Sequence, residues 1–330
     1  MMKIPKSEQQ IIPQVKPLLK KPKKPKLTNS DRLMIVCLFL LTVLTSGFFY
    51  FKPQITGFFQ KIKEVPEKIA SPLVITGGGE VKEFDPSPVL GEIKNLTRDL
   101  LGTYGVYVYR FGDGNEYGVH QGEIFPAASL AKLPVILTLY QEAEAGKLSL
   151  ETKYKLLAAD KRGGAGILQS RPAGEVYTYR KLAELMGQYS DNTANNILVK
   201  ILGPEKIQQT IDSLGMKKTN FAEYETTPQD IGLFFRKLYE GGVVTPQHKE
   251  EILKFLTKTG FEDRIPAGVP EEVRVAHKIG TEIGVFSDAG IVFGQKPFVL
   301  VIMSKNAREA EAKEALPKIA KAVWEWEEKN

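Results

Sequence analysis

The chain has few of the residues that build disulfides and metal centres. Its 330 residues include one cysteine and three histidines. Cys37 therefore has no partner for a disulfide within the chain. His120, His248 and His277 stand far apart, and none lies in an H-x-x-E-H pattern, so the sequence gives no support for a zinc hydrolase. We expect no metal and no other cofactor.

A net positive charge is lacking outside one short segment. The formal net charge of +6 suggests at first sight an acidic partner such as a nucleic acid. Residues 1–32, however, hold nine lysines or arginines and two acids, a net charge of +7. Residues 33–330 consequently carry 6 − 7 = −1. The basicity belongs to a tail, and we expect no nucleic-acid binding.

One long apolar run is present, at residues 33–51, and it contains no charged residue. As a helix, its nineteen residues would span roughly 28 Å, close to the hydrocarbon thickness of a bilayer. Because lysine-rich flanks stay in the cytoplasm, we expect a single-pass protein of the cell membrane with a cytoplasmic tail, 1–32, and an extracytoplasmic remainder. A cleaved signal peptide is the alternative, although Thr45-Ser46-Gly47 is a weak cleavage site.

Proline and glycine mark residues 52–88 as a linker, and a folded domain is expected over 89–330. Hydrophobic periodicity and turn residues predict strands at 104–111, 116–120, 273–278, 288–293 and 298–304. They predict helices at 89–101, from 129 onward, and at 178–189, 192–202, 204–214, 228–239, 246–256 and 307–328. Strands at both ends with helices between them predict an α+β fold, an α/β-α sandwich. In it, both ends of the domain build an antiparallel sheet flanked by helices, with an all-helical insertion.

The pattern Ser129-Leu130-Ala131-Lys132 is a candidate for nucleophilic chemistry. In a helix beginning near Ser129, Lys132 lies one turn later on the same face, so that hydroxyl and amine meet. A serine hydroxyl needs a neighbouring base, and a lysine in apolar surroundings can lose its proton and act as that base. The flanking residues are apolar. An ordinary helix start with serine as N-cap is the competing interpretation.

Two further motifs accompany this pair. Ser190-Asp191-Asn192 falls between two predicted helices, where serine and aspartate also serve as ordinary N-caps. Lys278-Ile279-Gly280-Thr281 is expected at the end of a strand. A literal K-T-G, Lys258-Thr259-Gly260, ends a predicted helix instead, so Lys278–Thr281 is the preferred match.

The order S-x-x-K, S-D-N, K-x-G-T is the signature of class A β-lactamases and penicillin-binding proteins. Residues from about 89 to 330 resemble the class A serine β-lactamase and penicillin-recognising serine enzyme family, which implies a β-lactamase/transpeptidase-like fold. The resemblance extends to the segments 164–169, 226–228 and 263–270. Ile279 stands where the family usually has threonine.

The resemblance implies a role for each motif residue. Ser129 attacks an amide carbonyl and is acylated, Lys132 takes its proton, and Ser190, helped by Lys278, relays a proton to the leaving nitrogen. Backbone N–H groups of Ser129 and Thr281 form the oxyanion hole. Asn192 is expected to hold the substrate's amide side chain, Gly280 to let the substrate approach the strand, and Lys278 with Thr281 to hold the substrate's carboxylate.

The segment that should release the acyl group is short. In class A enzymes a glutamate on an Ω-shaped loop activates water, and Glu225 falls at about the family's position, with Glu223 a weaker candidate. The rest of that loop is absent. We therefore keep three hypotheses: a membrane-anchored β-lactamase-like hydrolase of β-lactams, a D,D-peptidase or transpeptidase acting on D-Ala-D-Ala peptidoglycan stems, and a non-catalytic penicillin- or cell-wall-binding module.

Overall fold

The structure, a computed structural model, describes residues 84–330. These residues belong to one compact unit, residues 81–330. The predicted tail, anchor and most of the linker lie outside the described residues. Within the described residues, no helix is both long and apolar enough to span a bilayer.

A five-stranded antiparallel sheet organises the domain. Its strands are β1 (Thr103–Arg110), β2 (Glu116–Val119), β7 (Arg274–Glu282), β8 (Val285–Phe293) and β9 (Phe298–Lys305). Their order across the sheet is β2-β1-β9-β8-β7. Two short pairs lie outside it: β3 (Phe125–Pro126) with β6 (Glu225–Thr226), and β4 (Lys153–Lys155) with β5 (Val176–Thr178). Strands from the two ends of the domain thus meet where β1 pairs with β9, which confirms the predicted sheet.

The helices are α1 (Ser87–Thr97), α2 (Lys132–Glu144), α3 (Tyr179–Tyr189), α4 (Asn192–Leu202), α5 (Pro204–Leu214), α6 (Pro228–Glu240), α7 (Pro246–Phe255) and α8 (Glu309–Glu327). Their starts follow local chemistry. Thr178, Asp191, Thr227 and Thr245 each accept a backbone N–H of the first turn of α3, α4, α6 and α7. Gly215, at φ 82° and ψ 18°, ends α5 in the left-handed conformation that glycine adopts most easily.

Two hydrophobic cores cover the two faces of the sheet. One lies between the sheet and the pair α1 and α8, and it contains Val89, Leu300 and Ile319. The larger core includes the sheet's other face and the helices α2–α7, with Leu137 and Phe235 fully buried. The functional motifs lie on this second side, where helices meet the free edge of β7. The predicted α+β sandwich with a helical insertion is therefore confirmed.

Three local expectations differ from the structure. Ser129 lies in a 3₁₀ helix, Ala128–Ala131, and α2 begins only at Lys132. Lys278 lies in the middle of β7, because the pairing with β8 continues to Glu282. The ordered fold also begins before residue 89, since the ring of Phe84 packs within the described structure.

Candidate active site

The turn that carries Ser129 is held in a strained geometry. Ala128, the residue before it, has φ of 44°, in the left-handed region that is unfavourable for residues other than glycine. The turn is fixed because Ala127 donates its N–H to the carbonyl of Tyr224 at 2.7 Å. Lys132 follows on the next turn, and its Nζ lies 2.8 Å from Ser129 Oγ. The structure thus brings the predicted nucleophile and base into contact.

Lys132 has three hydrogen-bond acceptors and almost no contact with solvent. Its side chain is buried, and Nζ donates to Ser129 Oγ at 2.8 Å, Ser190 Oγ at 3.2 Å and Asn192 Oδ1 at 2.7 Å. Burial lowers the pKa of Lys132 to about 8, although the charges of Asp191 and Glu282 act in the opposite direction. An ammonium uses all three donors here. The neutral amine keeps two donors and gains a lone pair that accepts the proton of Ser129.

Ser190 lies between the two lysines. It ends α3 with φ of 53° and ψ of 34°, and Asp191 then caps α4. Ser190 Oγ accepts a hydrogen bond from Lys132 and another from Lys278 Nζ, at 2.8 Å. A hydroxyl oxygen accepts two hydrogen bonds, so the hydroxyl proton of Ser190 is left to donate toward a substrate.

Lys278 reaches Ser190 from the middle of β7. It is 1% exposed, and Nζ also donates to the carbonyl of Ile279 at 3.1 Å. Burial, and then the neighbouring charge of Lys132, hold the pKa of Lys278 well below its ordinary value, while Asp288 acts against them. Two ammonium groups that share Ser190 are thus each destabilised in their charged form, which favours proton transfer along this chain of hydrogen bonds.

Asp191 and Asn192 tie the site to the loop 163–168. One carboxylate oxygen of Asp191 accepts the N–H groups of Ile167 at 2.7 Å and Leu168 at 2.9 Å. Gly166, at φ 107°, lies so close that an added Cβ would stand 2.3 Å from the Asp191 carboxyl carbon. Asn192 donates Nδ2 to the carbonyl of Gly163 at 2.8 Å, so its orientation is fixed between this loop and Lys132.

The free edge of β7 faces the Ser129 turn. A Cβ on Gly280 would lie 3.3 Å from Ala128 Cβ, so glycine allows strand and turn to approach closely. His277 donates its backbone N–H away from β8, to the carbonyl of Leu256. Since every second N–H of a strand points the same way, the N–H of Thr281 also points to the free edge. This direction suits the role expected of Thr281 in an oxyanion hole.

Arg264 is a site residue that the motif pattern did not identify. It is 5% exposed, and its guanidinium donates to Thr281 Oγ1 at 2.6 Å and to the carbonyls of Gly280 at 3.0 Å and Ser287 at 2.5 Å. It supplies a cation beside Thr281, where a substrate carboxylate is expected. Its segment, 263–270, resembles the family, but Arg264 precedes Gly280 by sixteen positions and lies in none of the three motifs.

A second buried charge cluster lies behind Lys278, on the opposite face of β7. His277 Nδ1 lies 2.8 Å from Asp288 Oδ1, and Nε2 lies 3.2 Å from Glu262. Burial alone would lower the pKa of His277, but Asp288 and then Glu262 raise it to about 9. Thr259, from the literal K-T-G, contacts this cluster at 3.3 Å from His277 Nε2. The K-T-G segment thus borders the cluster and supplies none of the hydrogen bonds to Ser129, Lys132 or Ser190.

A cleft of about 400 Å³ opens beside Ser129 and Lys132. Its remaining lining residues are Ala128, Ala131, Arg162, Gly163, Asn192, Asn195, Asn196, Val199, Phe221, Tyr224 and Glu282. Glu225 does not line the cleft: it is exposed on β6, and its backbone pairs with Pro126 and Asn220. The neighbouring side chains that do line it are the rings of Phe221 and Tyr224. The role of Glu225 stays a prediction.

Metal ligands do not cluster in this region. Within residues 84–330, no group of three or more His, Cys, Asp or Glu side chains could hold a metal ion. The chemistry described above is carried by hydroxyl, amine and backbone N–H groups.

Comparison with known proteins gives a consistent family. A profile described as the β-lactamase enzyme family matches residues 89–326. Beta-lactamase SME-1 of Serratia marcescens is 25% identical over 239 residues, which cover 67% of this chain and 81% of the relative. Beta-lactamase 3 of Bacillus cereus is 28% identical over 233 residues, covering 65% of this chain and 73% of the relative.

Solved structures show the same similarity in three dimensions. The β-lactamase from Sphaerobacter thermophilus matches with a TM-score of 0.70 and 28% identity, covering 74% of this chain and 98% of that one. A point mutant of PBP-A, solved as its acyl-enzyme complex with penicillin G, matches with a TM-score of 0.69 and 26% identity, covering 74% and 97%.

Proposed function

Since the chain belongs to the β-lactamase enzyme family and is a β-lactamase-like serine hydrolase, we propose that it opens β-lactam amides through an acyl-enzyme on Ser129. The observation that carries this proposal is the hydrogen-bonded chain Ser129–Lys132–Ser190–Lys278. The similar PBP-A mutant, captured as a penicillin acyl-enzyme, supports it. Because all four side chains of this hydrogen-bonded series are present and in contact, the series also argues against a non-catalytic binding module.

For each step of acylation, the site contains a side chain or backbone N–H that can accept a proton, donate one or stabilise the developing charge. Neutral Lys132 accepts the proton of Ser129 as Oγ attacks the amide carbon. The oxyanion that forms is stabilised by backbone N–H groups, those of Ser129 and Thr281. The amide C–N bond then breaks as Ser190 donates its proton to the leaving nitrogen and recovers one from a neighbouring lysine. Lys278, Thr281 and Arg264 hold the substrate carboxylate, and Asn192 holds the amide of its acyl side chain.

We expect the acyl-enzyme to be released slowly. Hydrolysis of the ester needs a base to activate water. Glu225, the predicted base, is exposed on β6 and outside the residues that line the cleft. Phe221 and Tyr224 occupy the adjoining wall. This observation favours the second candidate function, a D,D-peptidase or transpeptidase acting on D-Ala-D-Ala stems, in which a long-lived penicillin adduct is expected.

Intact-protein mass spectrometry after a penicillin pulse separates these functions. We expect one adduct per chain, absent in Ser129→Ala and retained in the control Ser170→Ala, which alters an exposed serine of the neighbouring loop. Rapid loss of the adduct, slowed in Glu225→Gln, identifies a β-lactamase. A lasting adduct with release of D-alanine from a stem peptide identifies a D,D-peptidase. No adduct in the wild-type protein contradicts both.

We also propose that the hydrolase is anchored in the cell membrane through residues 33–51, with a cytoplasmic tail and an extracytoplasmic catalytic domain. The uncharged run and its lysine-rich flank support this. We expect the full chain to sediment with membranes and a chain lacking residues 1–51 to be released from them. Added protease should cut the domain only from outside the cell.

A further inference from the structure

The side chains of β7 alternate between the two faces of the sheet, and this alternation sorts the charges of the site. Lys278 reaches Ser190 on the side of the Ser129 turn. Gly280 packs against the same turn, since an added Cβ would lie 3.2 Å from the carbonyl oxygen of Ala127 and 3.3 Å from Ala128 Cβ. Glu282, two residues further along the strand, therefore lies on the same face, and it lines the cleft.

Glu282 presents an unneutralised carboxylate to the cleft. The side chain is exposed, and in the described part of the chain no lysine, arginine or histidine forms an ion pair with it. No other acidic residue is among those that line the cleft in residues 84–330. Its charge reaches the reacting groups, since it acts to raise the pKa of Lys132.

The order of residues along β7 determines which half of a substrate, the leaving group or the acyl half, lies beside Glu282. The leaving nitrogen must lie near Ser190 and Lys278, because Ser190 donates its proton to it. The carbonyl oxygen must lie near the N–H of Thr281. Continuing along the strand, the acyl half of the substrate must then lie beside Glu282, on the far side of the carbonyl from the leaving group.

The charges around these two halves are opposite in sign. Lys278 is buried beside Ser190, where the leaving group is received, and Arg264 is buried against the side chain of Thr281. Arg162 is the remaining cation that lines the cleft, and its Nη1 is turned back to the carbonyls of Ala159 and Lys161. The carboxylate of Glu282 therefore faces the acyl half without a competing ion pair.

We propose that Glu282 selects substrates that carry a protonated amine on the acyl side of the scissile amide. This inference rests on the proposed acylation of Ser129 and names the substrate class of that site: a zwitterion with a carboxylate on the leaving half and an ammonium on the acyl half. Two compound classes share this chemistry. One is β-lactams with an amino-bearing side chain, and the other is D-Ala-D-Ala peptides whose acyl half contains a diamino acid.

Paired substrates that differ in one amine test the proposal. We would measure second-order acylation rate constants of the full chain at pH 7 and low salt for ampicillin and benzylpenicillin. A second pair is an Nα-acetylated lysyl-D-Ala-D-Ala peptide with a free and with an acetylated side-chain amine. We expect the wild-type protein to prefer the amine by about fivefold, equivalent to roughly 1 kcal/mol, as for one partly solvated charge pair. The preference should shrink in high salt.

The variants isolate the contribution of Glu282. In Glu282→Gln the ratio within each pair should fall to about one, and in Glu282→Lys it should invert. The neutral member of each pair reports any general effect through Lys132. The control Glu271→Gln, which alters an exposed acid that precedes β7 and does not line the cleft, should keep the wild-type ratio.

The possible results distinguish failure of the role proposed for Glu282 from failure of the proposed acylation of Ser129. A ratio near one in the wild-type protein, or a ratio that survives Glu282→Gln, overturns the role of Glu282 while acylation stands. Failure of every compound to acylate Ser129 overturns the proposed function instead. Selectivity within one pair alone assigns the site to that class, β-lactam or peptide.

Discussion

At the scale of single residues, the site is defined by basic groups that have been removed from water. Lys132, Lys278 and Arg264 are each at most 5% exposed. Burial opposes their charged forms, and their mutual repulsion adds to this for Lys278. A lysine in such surroundings becomes a base close to neutral pH, which an exposed lysine with a pKa near 10.4 does not.

The pKa of Lys132, about 8, predicts the pH dependence of acylation. Only the neutral amine accepts the proton of Ser129, so the acylation rate constant should rise about tenfold per pH unit below pH 8 and level off above it. Stopped-flow acylation between pH 6 and 9 with a chromogenic cephalosporin measures this. A flat profile would contradict Lys132 as the base, provided that Ser129→Ala abolishes the signal.

His277 predicts a pH dependence of stability. Its pKa is about 9 in the folded protein against an ordinary 6.5, because Asp288 and Glu262 outweigh burial. The protonated ring therefore stabilises the fold fully below pH 6.5, and this contribution, roughly 3 kcal/mol, is lost as the pH rises through 9. Denaturant unfolding at several pH values should show a fall that is smaller in His277→Gln. The exposed control His120→Gln should behave as the wild-type protein does.

At the scale of elements, one carboxylate joins a helix to a loop beside the site. Asp191 caps α4 at Ala194 and also accepts two N–H groups from the loop 163–168. The next residue, Asn192, contacts both this loop and Lys132. The geometry of the loop is thereby coupled to the position of the base.

Replacing Gly166 by alanine should disrupt this connection. Gly166 has φ of 107°, and an added Cβ would stand 2.3 Å from the carboxyl carbon of Asp191. We expect Gly166→Ala to lower the free energy of unfolding by roughly 2 kcal/mol or more and to slow acylation. Gly163→Ala is the matched control, because nothing lies within 4 Å of its added methyl group. Equal stability of the two variants would refute the argument.

At the scale of the whole molecule, Phe84, the first residue that the structure describes, packs against side chains of both β2 and α8. The ring of Phe84 lies 5.6 Å from that of Trp326, near the end of α8, and 6.1 Å from that of Tyr117 on β2. The guanidinium of Arg110 lies 5.1 Å from the centre of the Phe84 ring. Phe84, which the sequence assigned to the linker, thus joins the beginning of the described domain to its last helix, α8.

We expect Phe84→Ala to destabilise the domain by about 1–2 kcal/mol, through lost apolar contact and a lost cation–π interaction with Arg110. Leu101→Ala, which shortens an apolar side chain that is 55% exposed, is the control and should change stability little. Thermal unfolding of both full-length variants measures the difference. A Phe84→Ala protein as stable as the control would place the start of the cooperative unit after residue 84.

The sequence by itself determined the local parts of this protein. The i, i+3 spacing of Ser129 and Lys132, the capping residues of the helices and the strands at both domain ends follow from neighbours along the chain. The predicted strand, 273–278, ended before Glu282, so it was the longer pairing of β7 with β8 in the structure that placed Lys278 and Glu282 on one face of the strand. Only the tertiary structure decided which buried charges share a site, because Arg264 is distant in sequence from Thr281 and Gly280. It also decided that aromatic rings, rather than Glu225, line the cleft, since burial and the approach of separate loops cannot be read from either segment alone.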